Sequence, residues 1–319
     1  MFLSLSSCSP EAFEDPWSHL FFEVEQPVRI TATFYPLYDA VNKVLGNTFG
    51  EGEFQSDLLG LCLNFAGESD PHEYDPSNPQ KLALASESIL LVSLMEGFDS
   101  WADAIAEENI PQVKVAEVSA LTDLEGRPID GSQGPIDPHV WLSPVRMISI
   151  FDSVSEAVIS EYEARGLSGI EELRINAEEY REVLLELDED YRTALAPHEG
   201  KTFFTSHEAF SYLCLDYGIE QFGIADFASS IPGPDRLARM EDLILEMDVH
   251  TIYVESLDSS RAVETLIEDI GLREKGYRIE QRELSALEIL PEDQMFSGED
   301  YVSVMYRNLE QIVSGFQER

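Results

Sequence analysis

Three histidines stand in local sequences that could aim them at a metal ion. His72 and His139 each follow Asp-Pro, in "SDPHEYDPS" and "DPHVWLSP", and His207 lies in "FFTSHEAF". Proline fixes its own φ and pushes the preceding Asp toward an extended backbone, so each Asp-Pro-His copy holds its imidazole on a stiff turn. Neutral imidazole nitrogen is a good zinc ligand. Two unrelated exposed turns would explain either copy alone, but the repetition favours a common role.

The segments around these histidines alternate between strand and helix patterns. "VRITATFYPLY" predicts a strand that runs into a helix closed by Gly46, and "KTFFTSH" predicts a strand before the helix "EAFSYLCLDYG". This order is typical of an α/β fold with mostly parallel sheets flanked by helices. Because such sheets bind ligands at the carboxyl ends of their strands, we expect the three histidines at ligand-binding edges, two in one lobe and one in the other.

A regular amphipathic segment separates the two α/β stretches. The apolar residues of the segment 171–196 follow intervals of four and three: Leu173, Ala177, Tyr180, Leu184, Leu187, Tyr191 and Ala194. This spacing predicts a helix with one narrow buried face, more than about 30 Å long. We therefore expect a tether (1–26), an N-terminal lobe (27–166), a rigid linker helix (167–199) and a C-terminal lobe (200–319).

Composition limits the classes of partner. The 319 residues include 62 acidic and 20 basic side chains, for a net charge of -42. Such a surface repels nucleic acid and is strongly solvated, and it would suit high salt. The most apolar run, "ILLVSLM", is of strand length, well short of the roughly 18 residues that a membrane helix needs.

The cysteines divide into one candidate anchor and two buried thiols. Leu5-Ser6-Ser7-Cys8 resembles the lipobox of bacterial lipoproteins, although the positive start of a signal peptide is absent. Either the beginning of a signal is missing or the match is accidental; in the first case Cys8 is lipidated. Cys62 and Cys214 have apolar neighbours and no CxxC spacing, so we expect buried free thiols.

Five stretches, in order, resemble one family. They are "ITATFYPLYDAVNKVLG", "SDPHEYDPS", "DPHVWLSP", "TSHEAFSYLCLDYG" and "YVESLDSSRAVETL". They are similar to the solute-binding proteins that deliver zinc or manganese to bacterial ABC transporters, a cluster related to metal-binding lipoprotein adhesins. The resemblance implies two α/β lobes joined by one long helix, a single metal in the cleft, a monomer and a membrane permease as partner. It also implies an extracytoplasmic location and metal ligands at His72, His139 and His207.

The fourth ligand of the family is where this sequence departs. Relatives usually carry an Asp in a short loop near the C-terminus, and Ser285 takes that position in "RELSALEIL". Glu283, Glu288 or a water molecule remain as alternatives. Three imidazoles favour zinc, since manganese prefers carboxylates and water, so zinc is expected and manganese is the alternative. Asp70 or Asp137 could orient an imidazole, or each could simply cap its turn.

Two other functions fit three histidines. A zinc hydrolase would use Glu208 or Glu73 as a base beside a bound water, but the chain has no HExxH motif. An adhesin would hold the metal only structurally. We expect a binding component of transport and no enzyme.

Overall fold

Each half of the described chain is built around its own four-stranded parallel sheet. In the computed structural model the first unit comprises Met1–Thr122, Val145–Glu186 and Leu287–Tyr301, and the second comprises Asp123–Pro144, Leu187–Ala286 and Val302–Arg319. The expected tether 1–26 with Cys8, and His72, lie outside the described residues. The structure describes residues 28–50, 53–56, 59–67, 69, 71, 74, 76–95, 98–106, 110–116, 137–225, 233–255 and 261–317.

The first unit begins with the predicted strand-to-helix alternation. Its strands are β1 (Arg29–Ala32), β2 (Thr48–Gly50), β3 (Glu53–Gln55), β4 (Leu61–Asn64), β5 (Leu90–Ser93) and β6 (Gln112–Lys114). Its first helices are α1 (Tyr35–Leu45), α2 (Pro79–Ala85) and α3 (Trp101–Ala106). The sheet has the order β4-β1-β5-β6 with parallel neighbours, and β2 and β3 form a separate antiparallel pair. Leu63, Phe65 and Leu91 contribute to its apolar core.

Two helix ends show how local sequence sets these elements. Gly46 closes α1 with φ of 70°, a left-handed conformation that glycine adopts without strain. Asn78 caps α2, since its side-chain oxygen accepts hydrogen bonds from the backbone N–H groups of Gln80 and Lys81. The helix end at Gly46 was predicted from the sequence, and this prediction is confirmed.

The long helix is present at the predicted position. Helix α4 (Pro144–Arg165) precedes it, and α5 itself runs over Ile170–Leu195. Its buried residues are Leu173, Tyr180, Leu184, Leu187, Tyr191 and Leu195, while most of the other positions are exposed. The predicted narrow apolar face is therefore confirmed. Along the chain, α5 leaves the first unit after Glu186 and continues in the second.

The second unit repeats the alternation of strands and helices. It contains β7 (Thr202–His207), α6 (Ser211–Tyr217), β8 (Glu220–Ala225), α7 (Pro234–Glu246), β9 (Thr251–Val254), α8 (Arg261–Arg273) and β10 (Glu280–Glu283). Its sheet has the order β10-β9-β7-β8, and all neighbours are parallel. Phe204, Ile224 and Ile252 form the apolar centre beneath α7 and α8. The predicted α/β class is confirmed in both units.

Several elements carry no clear pattern in the sequence. The β2–β3 pair is short, and β10 is an edge strand of mostly exposed polar residues, "EQRE", which lacks the apolar alternation of a strand. The C-terminal part adds α9 (Glu292–Phe296) and α10 (Tyr301–Gln317). Within the described residues no helix is both long and apolar enough to cross a membrane. Cys62 and Cys214 are buried free thiols, as predicted.

A buried charge cluster lies in the first unit. Nζ of Lys43 on α1 lies 2.7 Å from Oδ2 of Asp300, and the hydroxyl of Tyr180 on α5 donates to Oδ2 of Asp39 at 3.2 Å. Burial raises the pKa of Asp39 from 3.8 to about 6; Lys43 opposes this shift and Asp300 adds to it. The backbone N–H of Tyr301 also donates to the Asp39 carboxylate. Two carboxylates therefore share one lysine where α1, α5 and the start of α10 meet.

Candidate metal centre

His139 lies on a turn that its Asp-Pro-His sequence builds. Oδ1 of Asp137 accepts a hydrogen bond from the backbone N–H of His139 at 3.0 Å and lies 2.7 Å from its ring Nδ1. One carboxylate thus caps the turn and orients the ring, so the two roles considered for Asp137 are combined. A carboxylate at Nδ1 favours a proton on that nitrogen, which is the tautomer in which Nε2 can act as a metal ligand. The side chain is fully buried.

His207 is the last residue of β7, and it faces the carboxylate of Glu255, the residue that follows the neighbouring strand β9. Thr205 of β7 pairs with Tyr253 of β9, so the same parallel register, two residues further on, brings His207 beside Glu255. Nδ1 of His207 lies 2.9 Å from Oε1 of Glu255. Glu255 was not among the residues predicted for the site. The available signal was a carboxylate at the end of the strand pattern "TIYVES", and it lies one residue after β9.

The two imidazoles meet within the second unit. The ring centroids of His139 and His207 are 4.9 Å apart, with an interplanar angle of 74°. The turn that carries His139 is held by α6, because the hydroxyl of Tyr212 donates to the backbone carbonyl of Asp137 at 2.7 Å. His139 lies in the segment Asp123–Pro144 and His207 in the segment Leu187–Ala286, and both segments belong to the second unit. Both imidazoles thus belong to one structural unit.

The loop that leads to Glu288 contacts the segment of His139 within the second unit. In that unit, ligand atoms of His139 and His207 lie within 4.8 Å of one another. The carbonyl oxygen of Ala286 accepts a hydrogen bond at 2.8 Å from Nε1 of buried Trp141, which follows His139 by two residues. Glu288 comes two residues after Ala286 along the chain. Two imidazole nitrogens and one carboxylate oxygen are donors that tetrahedral zinc accepts, with one position left for a further ligand.

The other candidates for the fourth ligand have different surroundings. Glu283 is the last residue of β10 and is exposed. The backbone N–H and carbonyl of Ser285 bond the amide of Asn308. Glu288, the third candidate, follows the hydrogen bond between Trp141 and Ala286 by two residues. His72, Asp70 and His19 lie outside the described residues.

Two described histidines have structural surroundings of their own. The Nδ1–H of His250 donates to the carbonyl of Arg278, and its ring stacks on Tyr277. His198 packs against Phe316, and burial together with nearby Lys201 lowers its pKa. Neither belongs to the metal-capable group found among the described residues.

The carboxylate considered as a hydrolytic base is engaged by a guanidinium. Oε2 of Glu208 lies 3.0 Å from Nη2 of Arg236, and the same nitrogen donates to the carbonyl of Gly223 at 2.7 Å. A hydrogen-bonded pair with arginine restricts the orientation of the carboxylate. This arrangement braces the ends of β7 and β8 and does not favour proton transfer by Glu208. The other candidate base, Glu73, lies outside the described residues.

Comparisons with known proteins identify a family. The family described as zinc-uptake complex component A, periplasmic, matches residues 30–315. The zinc-binding lipoprotein AdcA of Streptococcus pneumoniae is 29% identical over 300 residues, which cover 90% of this chain and 55% of the relative. The high-affinity zinc uptake system protein ZnuA of Bacillus subtilis is 27% identical over 298 residues, covering 89% and 86% of the two chains. The chain thus spans about half the length of AdcA.

A solved structure shares the fold. The crystal structure of the Zn(II)-bound ZnuA-like domain of Streptococcus pneumoniae AdcA superposes with a TM-score of 0.71 at 27% identity, covering 91% of this chain and 99% of that domain. The resemblance drawn from the five sequence stretches is confirmed by the family match, which extends over nearly the whole chain. This protein belongs to the family of the periplasmic zinc-uptake complex component A.

Proposed function

We propose that the chain binds one zinc ion outside the cytoplasm and delivers it to the membrane permease of an ABC transporter. The observation that carries the proposal is the pair His139 and His207, whose ring centroids are 4.9 Å apart and whose Nδ1 atoms each lie against a carboxylate. The family match and the zinc-binding names of the relatives support zinc as the cargo. No observation favours the hydrolase or the adhesin.

The proposed ligands are His72, His139 and His207, with Glu288 as the fourth. His72 is included because its Asp-Pro-His sequence repeats that of His139, where the Asp both caps the turn and orients the ring. Glu288 is preferred because its loop is bonded to Trp141, two residues after His139. Glu283 is exposed at the end of β10, and the backbone of Ser285 is bonded to Asn308. Three nitrogens and one oxygen would close a tetrahedral site.

This ligand set favours zinc over manganese. Imidazole suits zinc, whereas manganese prefers carboxylate, carbonyl and water oxygens, and zinc has the higher intrinsic affinity for such a site. A tetrahedral shell of one carboxylate and three imidazoles supplies few of the oxygen ligands that manganese prefers. Manganese therefore remains the alternative cargo, with weaker binding expected.

The remaining parts of the proposal concern partners and organisation. We infer a monomer that contacts the permease and reaches the membrane only through a lipid on Cys8. The lobes 27–166 and 200–319, joined by the linker 167–199, are retained as the proposed domain division. The strongly acidic surface, with a net charge of -42, makes nucleic acid an unsuitable partner.

Elemental analysis of protein purified without added metal, followed by zinc and manganese titration against a chelator, tests the proposal. We expect one tightly held zinc ion per chain and weaker manganese binding. His139→Ala and His207→Ala should each weaken zinc binding by about 100-fold or more, since each removes a ligand. His250→Ala is the matched control and should leave the affinity unchanged. A chain that holds no stoichiometric divalent metal would overturn the function, and manganese preference would overturn the choice of cargo.

A further inference from the structure

Asn308 holds the loop that leads to Glu288. It lies on α10 with 1% of its surface exposed. Its Oδ1 accepts a hydrogen bond from the backbone N–H of Ser285 at 3.0 Å, and its Nδ2 donates to the carbonyl oxygen of Ser285 at 2.8 Å. A primary amide can accept and donate at once, which neither a carboxylate nor an aliphatic side chain can do. In the loop after β10, both the backbone N–H and the carbonyl of Ser285 are thus bonded to the side chain of Asn308 on α10.

Two further features constrain the same loop. Nε1 of Trp141 donates to the carbonyl oxygen of Ala286, the residue after Ser285. Leu287 then has φ of 55°, a left-handed conformation that a residue with a branched side chain adopts only where its surroundings hold it. Glu288 comes next. The direction of its carboxylate therefore depends on contacts that hold Ser285 and Ala286 in place.

We propose that Asn308 is a positioning residue for metal binding, whose amide holds the 285–288 loop so that Glu288 can act as a ligand. The inference rests on the proposed function. Without the amide bonds, Ser285 is released from α10 and Leu287 can relax from its left-handed conformation. Glu288 then loses its orientation, and the bound metal loses an oxygen ligand. Trp141 bonds the carbonyl oxygen of the next residue, Ala286, and so also helps to hold the loop.

A double-mutant cycle with Asn308→Leu and Glu288→Gln tests this role. Leucine has a similar size but removes both hydrogen bonds. In the wild-type background Asn308→Leu should weaken zinc binding by about 10-fold or more, the usual cost of losing a residue that orients a ligand. In the Glu288→Gln background, Asn308→Leu should weaken zinc binding by less than about 3-fold, because its effect on the metal depends on Glu288. The absorption spectrum of bound Co²⁺ in Asn308→Leu should shift toward that of Glu288→Gln.

Ser314→Ala is the matched control. Ser314 also joins α10 to the strand before this loop, since its Oγ accepts a hydrogen bond from Nη1 of Arg282 at 2.8 Å. Its removal should leave zinc affinity and the Co²⁺ spectrum unchanged. If Asn308→Leu does not fold, Trp141→Phe provides a second test, because phenylalanine keeps the aromatic packing and removes only the donor to Ala286.

The outcomes separate this inference from the function on which it rests. A wild-type chain that binds no zinc overturns both. A wild-type chain that binds zinc, with losses that add in the cycle and an unshifted Co²⁺ spectrum, overturns the role of Asn308 alone. Equal losses in Asn308→Leu and Ser314→Ala would likewise mean that Asn308 contributes only to the packing of α10.

Discussion

The rings of His139 and His207 meet edge to face, with their centroids 4.9 Å apart, and each ring has a carboxylate at its Nδ1. The two carboxylates come from different parts of the second unit. Asp137 belongs to the same turn as His139, whereas Glu255 reaches His207 from the adjacent strand. A carboxylate at Nδ1 favours the Nδ1-protonated tautomer of each ring, and in the proposed site Nε2 would bind the metal.

Removing Glu255 should weaken zinc binding without removing a ligand. Glu255→Ala leaves His207 free to rotate and should cost about 10- to 100-fold in zinc affinity. Glu255→Gln keeps an oxygen that can accept the Nδ1–H bond but removes the charge, so a smaller loss is expected. Isothermal titration calorimetry of both variants checks this order. Equal affinities for wild type and Glu255→Ala would show that the carboxylate does not orient the ligand.

The fourth ligand can be assigned by comparing two glutamates of the same segment. Glu288→Gln should lower manganese affinity by a larger factor than zinc affinity, because manganese depends more on carboxylate oxygen. Glu283→Gln is the control, since Glu283 is exposed at the end of β10, and both affinities should be unchanged. Competition titrations with both metals measure the two ratios. The assignment fails if Glu283→Gln has the larger effect or if Glu288→Gln has none.

The parts of the site that the sequence could predict are local. The Asp-Pro-His turn and the strand that ends at His207 depend on neighbouring residues, and both are present as expected. Glu255 was missed because its contact depends on the register between β7 and β9, which pairs residues 48 positions apart. Glu288 could not be separated from Ser285 and Glu283 because the turn at Leu287 is held by Trp141 and Asn308, which are distant in sequence.

The same distinction applies to the fold. The long helix was predictable because its apolar residues recur at helical spacing over seven turns, so the period is clear. Strand β10 was not, because an edge strand of exposed polar residues is defined by backbone pairing with β9 rather than by buried side chains. The burial of Asp39 could not be predicted from the sequence either, because Tyr180 and Asp300, which lie near it, are distant from it along the chain.

Zinc affinity should fall steeply in acid. A metal-binding imidazole must be neutral, and an ordinary histidine titrates near about 6.5, so protons compete with zinc as the pH drops from roughly 6.5 to 5. With three histidine ligands, more than one proton should be released per zinc bound at pH 6. Calorimetry in buffers of different ionisation enthalpy counts these protons. A count near zero would contradict ligation by imidazoles.

Asp39 should make the first unit more stable in acid than in neutral solution. Its folded-state pKa, about 6, lies above the ordinary 3.8, so the folded chain holds this proton more tightly than the unfolded chain. The contribution is therefore most favourable below pH 3.8, declines as the pH rises to about 6, and is lost above it. A shift of about two units corresponds to about 3 kcal/mol.

Asp39→Asn should remove this dependence, because asparagine resembles the neutral carboxyl group. The free energy of unfolding of the variant, relative to that of wild type, should rise by up to about 3 kcal/mol from pH 4 to pH 7. Urea unfolding at the two pH values measures it. Asp152→Asn, which removes an exposed ion pair with Arg181, is the control and should change the difference by less than about 1 kcal/mol. A stability difference between Asp39→Asn and wild type that does not vary with pH would mean that Asp39 does not titrate in this range.

X-ray absorption at the zinc edge of the zinc-loaded chain tests the central claim most directly, because it reports the number and type of the ligands. The account predicts four nitrogen or oxygen ligands at about 2.0 Å, with the outer-shell scattering of three imidazoles. The imidazole count should fall by one in His207→Ala, and in Glu288→Gln all three imidazoles should remain. Sulfur at about 2.3 Å, or a six-oxygen shell without imidazole scattering, would contradict the account.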